Sequence, residues 1–192
     1  YVDDQSEMGE DEEIDLLNDI YHQILNERPW EFLRKSTTPT TLIDSNTGYA
    51  YVNLPSDFKY MYGNYGSDTY VIFGTAKVPV KVLPISSIEE FIDQTGYAYV
   101  DETTDRLIFT GTQAAGETVK YNYIHQPTDL SGNTEPIFDE RFQMLLPYGM
   151  AADFSIINQD ERGLSYQADN LRNYKRILDN MMMEDAHIKL AV

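Results

Sequence analysis

Residues able to perform catalysis or to hold a metal ion are few in this chain, and they are scattered. The three histidines, His22, His125 and His187, lie far apart, and none belongs to the His-Glu-x-x-His type of pattern that ligates metals. Cysteine is absent, which removes thiolate ligands, a cysteine nucleophile and any disulfide framework. We therefore expect neither a metal nor a cofactor.

Carboxylate pairs are frequent, and those at Asp101, Glu102 and Asp105 come nearest to an acid–base group or a calcium loop. Their run, Asp101-Glu102-Thr103-Thr104-Asp105, fits no EF-hand spacing and is typical of a polar hairpin tip. The chain also has no phosphate-binding glycine loop and no G-x-S-x-G nucleophile elbow. We expect that the protein is not an enzyme; a hydrolase that uses Asp101 or Asp105 is the least favoured alternative.

Tyrosine is the distinctive residue type, with 15 copies in the chain. Three predicted strands each carry two tyrosines two positions apart, which places both phenols on one side of the strand. Such a pattern is typical of half-buried strands, but it also fits a protein interface or, as a lesser option, a sugar-binding face. The pairs are Tyr49 and Tyr51, Tyr97 and Tyr99, and Tyr121 and Tyr123, of which the last four are candidate interface residues.

The overall charge narrows the possible partners. The chain has 32 acidic and 14 basic residues, which give a net charge of -18. Proteins grip nucleic acids by neutralising phosphates, so DNA or RNA binding is not expected. No apolar run approaches the roughly 18 to 20 residues that span a bilayer, and the acidic start is unlike a signal peptide, so membrane and secretion roles are not expected.

Periodicity divides the chain into helical and β regions. Residues 1–10 are predicted to be a flexible acidic arm, residues 11–27 a helix and residues 29–33 a short helical turn. Residues 37–126 are rich in Thr, Val, Ile and Tyr between turn residues, which predicts a β domain. Strands are predicted at 40–44, 49–54, 69–73, 78–83, 98–101, 107–110 and 118–125, with a short helix at 87–94.

The helical period returns after a connecting loop at 127–136. One helix is predicted from residue 139, with a kink or break at Pro147, and another from 165 to about 184, after a turn at Gly163. We therefore expect an α+β fold in which a helical body, residues 11–36 and 137–192, carries an inserted small β barrel or sandwich at 37–126.

The end of the last helix is rich in apolar residues. The run Met181-Met182-Met183 either fills the core or offers an adaptable apolar surface to another subunit, and both interpretations stay open. The candidate interface residues here are Leu178, Met181, Met182, Met183, Ile188, Leu190 and Val192.

Several short motifs, in this order, resemble the head-to-tail adaptor (connector) proteins of tailed bacteriophages. After the first amphipathic helix the motifs are Arg28-Pro29-Trp30-Glu31-Phe32-Leu33, Leu54-Pro55-Ser56-Asp57-Phe58, Val119-Lys120-Tyr121-Asn122-Tyr123, Pro127-Thr128-Asp129-Leu130 and Pro136-Ile137-Phe138-Asp139, followed by a helix containing Leu145, Leu146, Tyr148, Ala151 and Ala152.

This resemblance implies a structural virion protein, assembled in the host bacterial cytoplasm, which forms a ring, commonly a dodecamer, below the portal. The ring extends the DNA channel and provides a docking surface for the tail or for a second neck protein. The resemblance also implies that a terminal helix or tail contacts the portal, which suggests residues 178–192. The runner-up hypothesis is a carbohydrate-binding tail or surface module that uses the tyrosine-rich sheet face.

Overall fold

The computed structural model describes residues 9–63, 70–111, 114–132, 134–157 and 161–191. The side chains of residues 10, 70, 154–157, 161–165 and 189–191 are outside the description. The chain divides into two compact units. One, the helical unit, consists of Tyr1–Phe32 and Pro127–Val192, and the other, the sheet unit, is Leu33–Gln126.

Among its described residues the helical unit has three α-helices: α1 (Glu10–Asn26), α2 (Leu145–Ile157) and α3 (Glu161–Ala191). Short 3-10 segments span Glu31–Leu33, at the boundary of the two units, and Glu140–Phe142. The prediction of α1 is confirmed, and the Gly9 N–H donates to the Glu12 carboxylate at its start. The last helix is longer than predicted at both ends, and the predicted turn at Gly163 is wrong because α3 continues through it.

Pro147 does not interrupt its helix. It is the third residue of α2, where an N–H group has no partner within the helix, so the proline ring costs no hydrogen bond. The break occurs earlier, where Asp139 caps a 3-10 turn by accepting from the Arg141 N–H at 3.0 Å. The kink predicted at Pro147 is therefore replaced by a boundary ahead of it.

The first two helices pack closely at Gly149. A Cβ atom built at this position would lie 2.6 Å from Ile20 Cγ2 of α1, so any larger residue would push the helices apart. Ile20, Tyr21 and Ile24 are buried on the same side of α1. This spacing at three and four residues is the one that predicted the helix.

The second half of α3 is joined to the chain after α1 through a buried carboxylate. Asp185 is 3% exposed, and its Oδ2 lies 3.2 Å from Arg28 Nη2. Its Oδ1 accepts a hydrogen bond from the Glu31 N–H at 2.6 Å. Arg28 also donates to the Met182 carbonyl and lies over the ring of Trp30, whose indole N–H donates to the Ile24 carbonyl. We call these contacts the Arg28–Asp185 lock.

In its described residues the sheet unit has nine strands: β1 (Arg34–Thr37), β2 (Leu42–Ile43), β3 (Ala50–Asn53), β4 (Phe58–Met61), β5 (Tyr70–Phe73), β6 (Val78–Leu83), β7 (Tyr97–Asp101), β8 (Arg106–Phe109) and β9 (Val119–His125). They form one sheet with the order β1-β9-β5-β6-β7-β8-β3-β2, and β4 also pairs with β9. Of these described strand pairs, β6 and β7 are parallel and the others are antiparallel, and a 3-10 segment at Ile85–Phe91 joins β6 to β7.

The predicted fold class is wrong. Most of the described structure is a curled mixed sheet, an open half-barrel, with helices towards the chain ends, and not a helical body carrying a small closed barrel or sandwich. One cause is β9, which uses both edges: β1 lies along one, and β4 and β5 share the other. A register shift between Phe58 and Tyr60 adds a bulge, which bends a sheet.

Two strands were not predicted, because their sequences do not show a regular alternation of apolar and polar residues. Arg34–Thr37 is polar throughout, yet it pairs over its whole length with β9. Phe58–Met61 follows the turn residues Pro55-Ser56-Asp57 and mixes aromatic residues with Lys59. The predicted helix at 87–94 is a 3-10 segment and starts two residues earlier.

The sheet has a buried face and a more exposed one. Val52, Leu107, Phe109, Val119 and Tyr121 are among the side chains of its apolar core. On β3, β8 and β7 the alternate residues point away from that core: Tyr51, Ile108 and Tyr99 lie directly opposite one another. This arrangement brings residues from distant parts of the chain into one row.

The Arg28–Asp185 lock predicts a strong effect of one substitution. Asp185→Ala removes the anion beside Arg28 and the acceptor of the Glu31 N–H, so the free energy of unfolding should fall by about 3 kcal/mol. Urea unfolding followed by the fluorescence of Trp30, the single tryptophan, measures this change. Glu184→Ala is the matched control, since its ion pair with Arg141 is exposed. Equal effects of the two substitutions would show that the lock is not a main stabilising contact.

Candidate functional site

The end of α3 separates its apolar residues into buried and exposed sets. Leu178 and Met181 are buried, as is Asp185, and Met182 is half-buried, so these residues belong to the interior of the helical unit. By contrast, Met183 is 60% exposed and Ile188 is 53% exposed. Of the other two predicted interface residues, the side chain of Leu190 and the whole of Val192 lie outside the description.

The exposed set occupies one side of the helix. Asn180, Met183, Glu184, His187 and Ile188 are all exposed and are spaced at three and four residues. Arg28 pairs with the buried Asp185, and with this pair in place Met183 and Ile188 are exposed to solvent. We call Met183 and Ile188 the α3 apolar patch. The interface prediction for Leu178 and Met181 therefore needs correction, since both are core residues.

Tyr121 and Tyr123 are also core residues. They are buried on the inner face of β9, so they form no exposed tyrosine face. Burial raises the pKa of the Tyr121 phenol well above its usual range. The prediction that both tyrosines lie on the same side of the strand is correct. The prediction that this side is exposed is wrong, because alternation does not tell which face of a strand is buried.

The Tyr123 hydroxyl belongs to a small polar cluster around Asp57, which we call the Asp57 cluster. It donates to Asp57 Oδ1 at 2.9 Å, while Lys35 Nζ lies 2.6 Å from Asp57 Oδ2 and His125 Nδ1 lies 3.9 Å from it. The hydrogen bond from Lys35 lowers the pKa of Asp57, with a further contribution from Tyr123. Burial and the hydrogen bond to Asp57 raise the pKa of Tyr123 to about 12, and burial lowers that of His125. The cluster joins β1, β9 and the start of β4.

Tyr97 is half-buried and has a local packing role. Its ring lies 4.6 Å from that of Phe91, centroid to centroid, which holds the 3-10 segment against β7. Its carbonyl accepts hydrogen bonds from the N–H and the hydroxyl of Thr110, a buried residue after β8. Tyr97 thus has a packing role that Tyr99, two residues further along the same strand, does not share.

The remaining tyrosines are brought together. Tyr49, Tyr51 and Tyr99 line one cavity of about 270 Å³ with Ile108 of β8, which we call the tyrosine pocket. All three phenols are half-buried, and burial raises the pKa of Tyr99, with smaller contributions from Asp101 and Tyr49. The pocket also contains Asp44, Thr47, Asp101, Thr104 and Arg106.

Within the tyrosine pocket, Arg106 contacts both Tyr51 and Asp44. Its guanidinium carbon lies 4.1 Å above the centre of the Tyr51 ring, and its Nη1 donates to Asp44 Oδ2 at 3.1 Å. Asp44 belongs to the turn before β3, whereas Arg106 follows the turn between β7 and β8. Sequence reasoning missed both residues, since they are 62 positions apart and only the register of β3 with β8 brings them together.

Asp101 and Asp105 form the turn that the sequence predicted. Asp101 accepts from the Thr103 N–H at 3.0 Å and from the Thr104 hydroxyl at 2.7 Å, and these bonds lower its pKa. Asp105 has a positive φ of 51°, which aspartate tolerates in turns, and its carbonyl accepts from the Leu54 N–H. Asp101 therefore holds the turn and lines the tyrosine pocket at the same time.

The Asp57 cluster predicts a stability difference that depends on pH. The pKa of Asp57 is lowered by folding, so its contribution is present above the unfolded value of about 4 and is lost as the pH falls through the folded value. Asp57→Asn should lower the unfolding free energy by roughly 1 kcal/mol at pH 7, and by progressively less as the pH falls below about 4. Urea unfolding followed by circular dichroism checks this, with the exposed Asp93→Asn as control. A difference independent of pH would contradict it.

Among the described residues, no group of three or more His, Cys, Asp or Glu side chains is placed to hold a metal ion. Nor does the described part of the chain contain a helix long and apolar enough to cross a membrane. In comparisons with known proteins, no family model matches the chain, and no curated protein does so either.

Proposed function

We propose that this protein is a structural head-to-tail adaptor of a tailed bacteriophage. It forms a ring below the portal, extends the DNA channel and provides a surface on which the tail or a second neck protein docks. It has no catalytic role, and it resides in the neck of the virion after assembly in the bacterial cytoplasm. The genome passes through the ring without being bound specifically.

The α3 apolar patch is the observation that carries this proposal. Met183 and Ile188 lie in the segment, residues 178–192, for which the resemblance implies portal contact, and both are exposed. Large apolar side chains held in solvent by a rigid helix gain free energy when a partner covers them. The Arg28–Asp185 lock fixes their direction, so the patch needs no rearrangement before it docks.

The motifs that carry the resemblance are structural in this molecule. Trp30 is fully buried in the helical unit, Leu130 is buried beside α1, and Asn18 hydrogen-bonds both the N–H and the carbonyl of Leu130. In the sheet unit, Asp57 pairs with Lys35, and Phe58 stacks on Tyr123. The motifs thus mark residues on which the two units depend, and this supports a shared architecture, not a shared active site.

The charge of the chain fits passage of DNA. At a net charge of -18, an acidic channel wall repels phosphates, so DNA can slide through a ring without being held by it. The subunits must then associate through apolar and hydrogen-bonding contacts that overcome their mutual repulsion. The α3 apolar patch provides such a contact to the portal.

The mass of the purified protein with and without the portal of its virus tests the proposal. Native mass spectrometry should show a ring or a portal-dependent complex. Met183→Asp should prevent the portal-dependent complex, because a carboxylate in an apolar contact must be desolvated. Leu171→Asp, an equally charged change at an exposed apolar position earlier in α3, should leave it intact. A wild-type chain that stays monomeric with the portal would refute the proposal.

Assembly should also depend on ionic strength. Each added subunit brings 18 net negative charges, and the screening length falls from about 30 Å at 0.01 M salt to about 10 Å at 0.1 M. We expect the assembled fraction, measured by light scattering, to rise with salt or divalent cations over this range. Assembly that is indifferent to ionic strength would contradict a ring of such acidic subunits.

A further inference from the structure

The tyrosine pocket has no part in the adaptor role, and we propose that it binds one ring of a neutral sugar. The pocket lies on the outer face of the sheet unit, between the turn before β3 and the turn that joins β7 and β8. Its volume of about 270 Å³ is just below the range of roughly 300 to 1,000 Å³ found for small-molecule sites, which suits a single six-membered sugar ring.

The pocket has apolar surface and hydrogen-bonding groups, which complement the two kinds of surface on a sugar. A sugar ring has faces of C–H groups and a rim of hydroxyls. Tyr51, Ile108 and Tyr99 stand opposite one another across three strands. Tyr99 and Ile108 give the pocket apolar surface, whereas the Tyr51 ring carries the guanidinium of Arg106. Tyrosine suits such contacts because its ring is apolar and rigid while its hydroxyl can donate and accept hydrogen bonds.

The polar groups of the pocket are fixed in place by the protein itself. Asp44 accepts from the N–H groups of Asn46 and Thr47 at 2.8 and 3.2 Å, and Asp101 is held by Thr103 and Thr104. A carboxylate has about four acceptor positions, so Asp101 keeps acceptor capacity for ligand hydroxyls. Side chains ordered before binding lose little entropy when a ligand arrives, which favours affinity in a small site.

The charges in the pocket favour a neutral ligand over an ion. Arg106 already lies over the Tyr51 ring and pairs with Asp44, so a bound ammonium group would meet a like charge at the ring. An anion would meet Asp44 and Asp101, both of which are carboxylates with lowered pKa values. A neutral ligand with many hydroxyls avoids both penalties and can use acceptors and donors together.

Protein-observed NMR on the full chain, without portal, tests this proposal separately from the adaptor role. Glucose, galactose and N-acetylglucosamine are titrated to about 50 mM, with tetramethylammonium chloride as the cationic probe. At least one sugar should give saturable shifts at Tyr49, Tyr99 and Thr104, with a dissociation constant on the order of 1 to 10 mM, typical of few contacts.

Substitutions then link the binding to the pocket. Tyr99→Ala should weaken sugar binding roughly tenfold or more, and the milder Tyr99→Phe, which keeps the ring, should weaken it less. Tyr166→Ala, at an exposed tyrosine of α3, is the control and should have no effect. The proposal is overturned if no sugar gives saturable shifts in the pocket, if tetramethylammonium binds more tightly than every sugar, or if both Tyr99 variants bind like the wild type.

Discussion

The buried carboxylate of Asp185 is the constraint on which the arrangement of the helical unit depends. A charged group inside a protein costs several kcal/mol unless it is paired and hydrogen-bonded, and Asp185 has both kinds of partner in Arg28 and the Glu31 N–H. Any rotation of α3 about its axis would break these contacts. Such a rotation would also change which side chains of α3 are exposed; with the ion pair in place, Met183 and Ile188 are exposed.

The sheet unit has a comparable arginine–aspartate pair on its outer face. Arg106 pairs with Asp44 and lies over Tyr51, so it joins two turns that are separated by the length of β3. Tyr49, Tyr51 and Tyr99 line the same cavity, and Arg106 offsets the charge of one of the two carboxylates there. In both units a single arginine therefore links segments that are distant in sequence: Arg28 contacts α3, and Arg106 contacts the turn before β3.

Local patterns in the sequence predicted much of the secondary structure, because helix and strand periods depend on neighbouring residues. Residues 78–83 were predicted as a strand with the observed bounds, and α1 was predicted to within one residue. The order of the strands depends on long-range pairing, which periodicity does not contain, so the open half-barrel was missed. The polar strand Arg34–Thr37 was missed for the same reason, since only its pairing with β9 makes it a strand.

The candidate sites show the same division between local and long-range information. The pairs Tyr97 and Tyr99 and Tyr121 and Tyr123 have identical spacing, yet Tyr121 and Tyr123 lie in the core and Tyr99 lines a pocket. Similarly, Leu178 and Met181 are buried while Met183 is exposed, and Arg28, which contacts this part of α3, is more than 150 residues away in sequence. Sequence spacing shows which residues share a side of a strand or helix, whereas tertiary contacts determine whether that side is buried or exposed.

Electron cryomicroscopy of the intact virus particle would test the adaptor assignment most directly. The assignment predicts repeated copies of this chain in a ring directly below the portal, with the end of α3, including Met183 and Ile188, against portal density. Copies located elsewhere in the tail, or their absence from the purified particle, would contradict it.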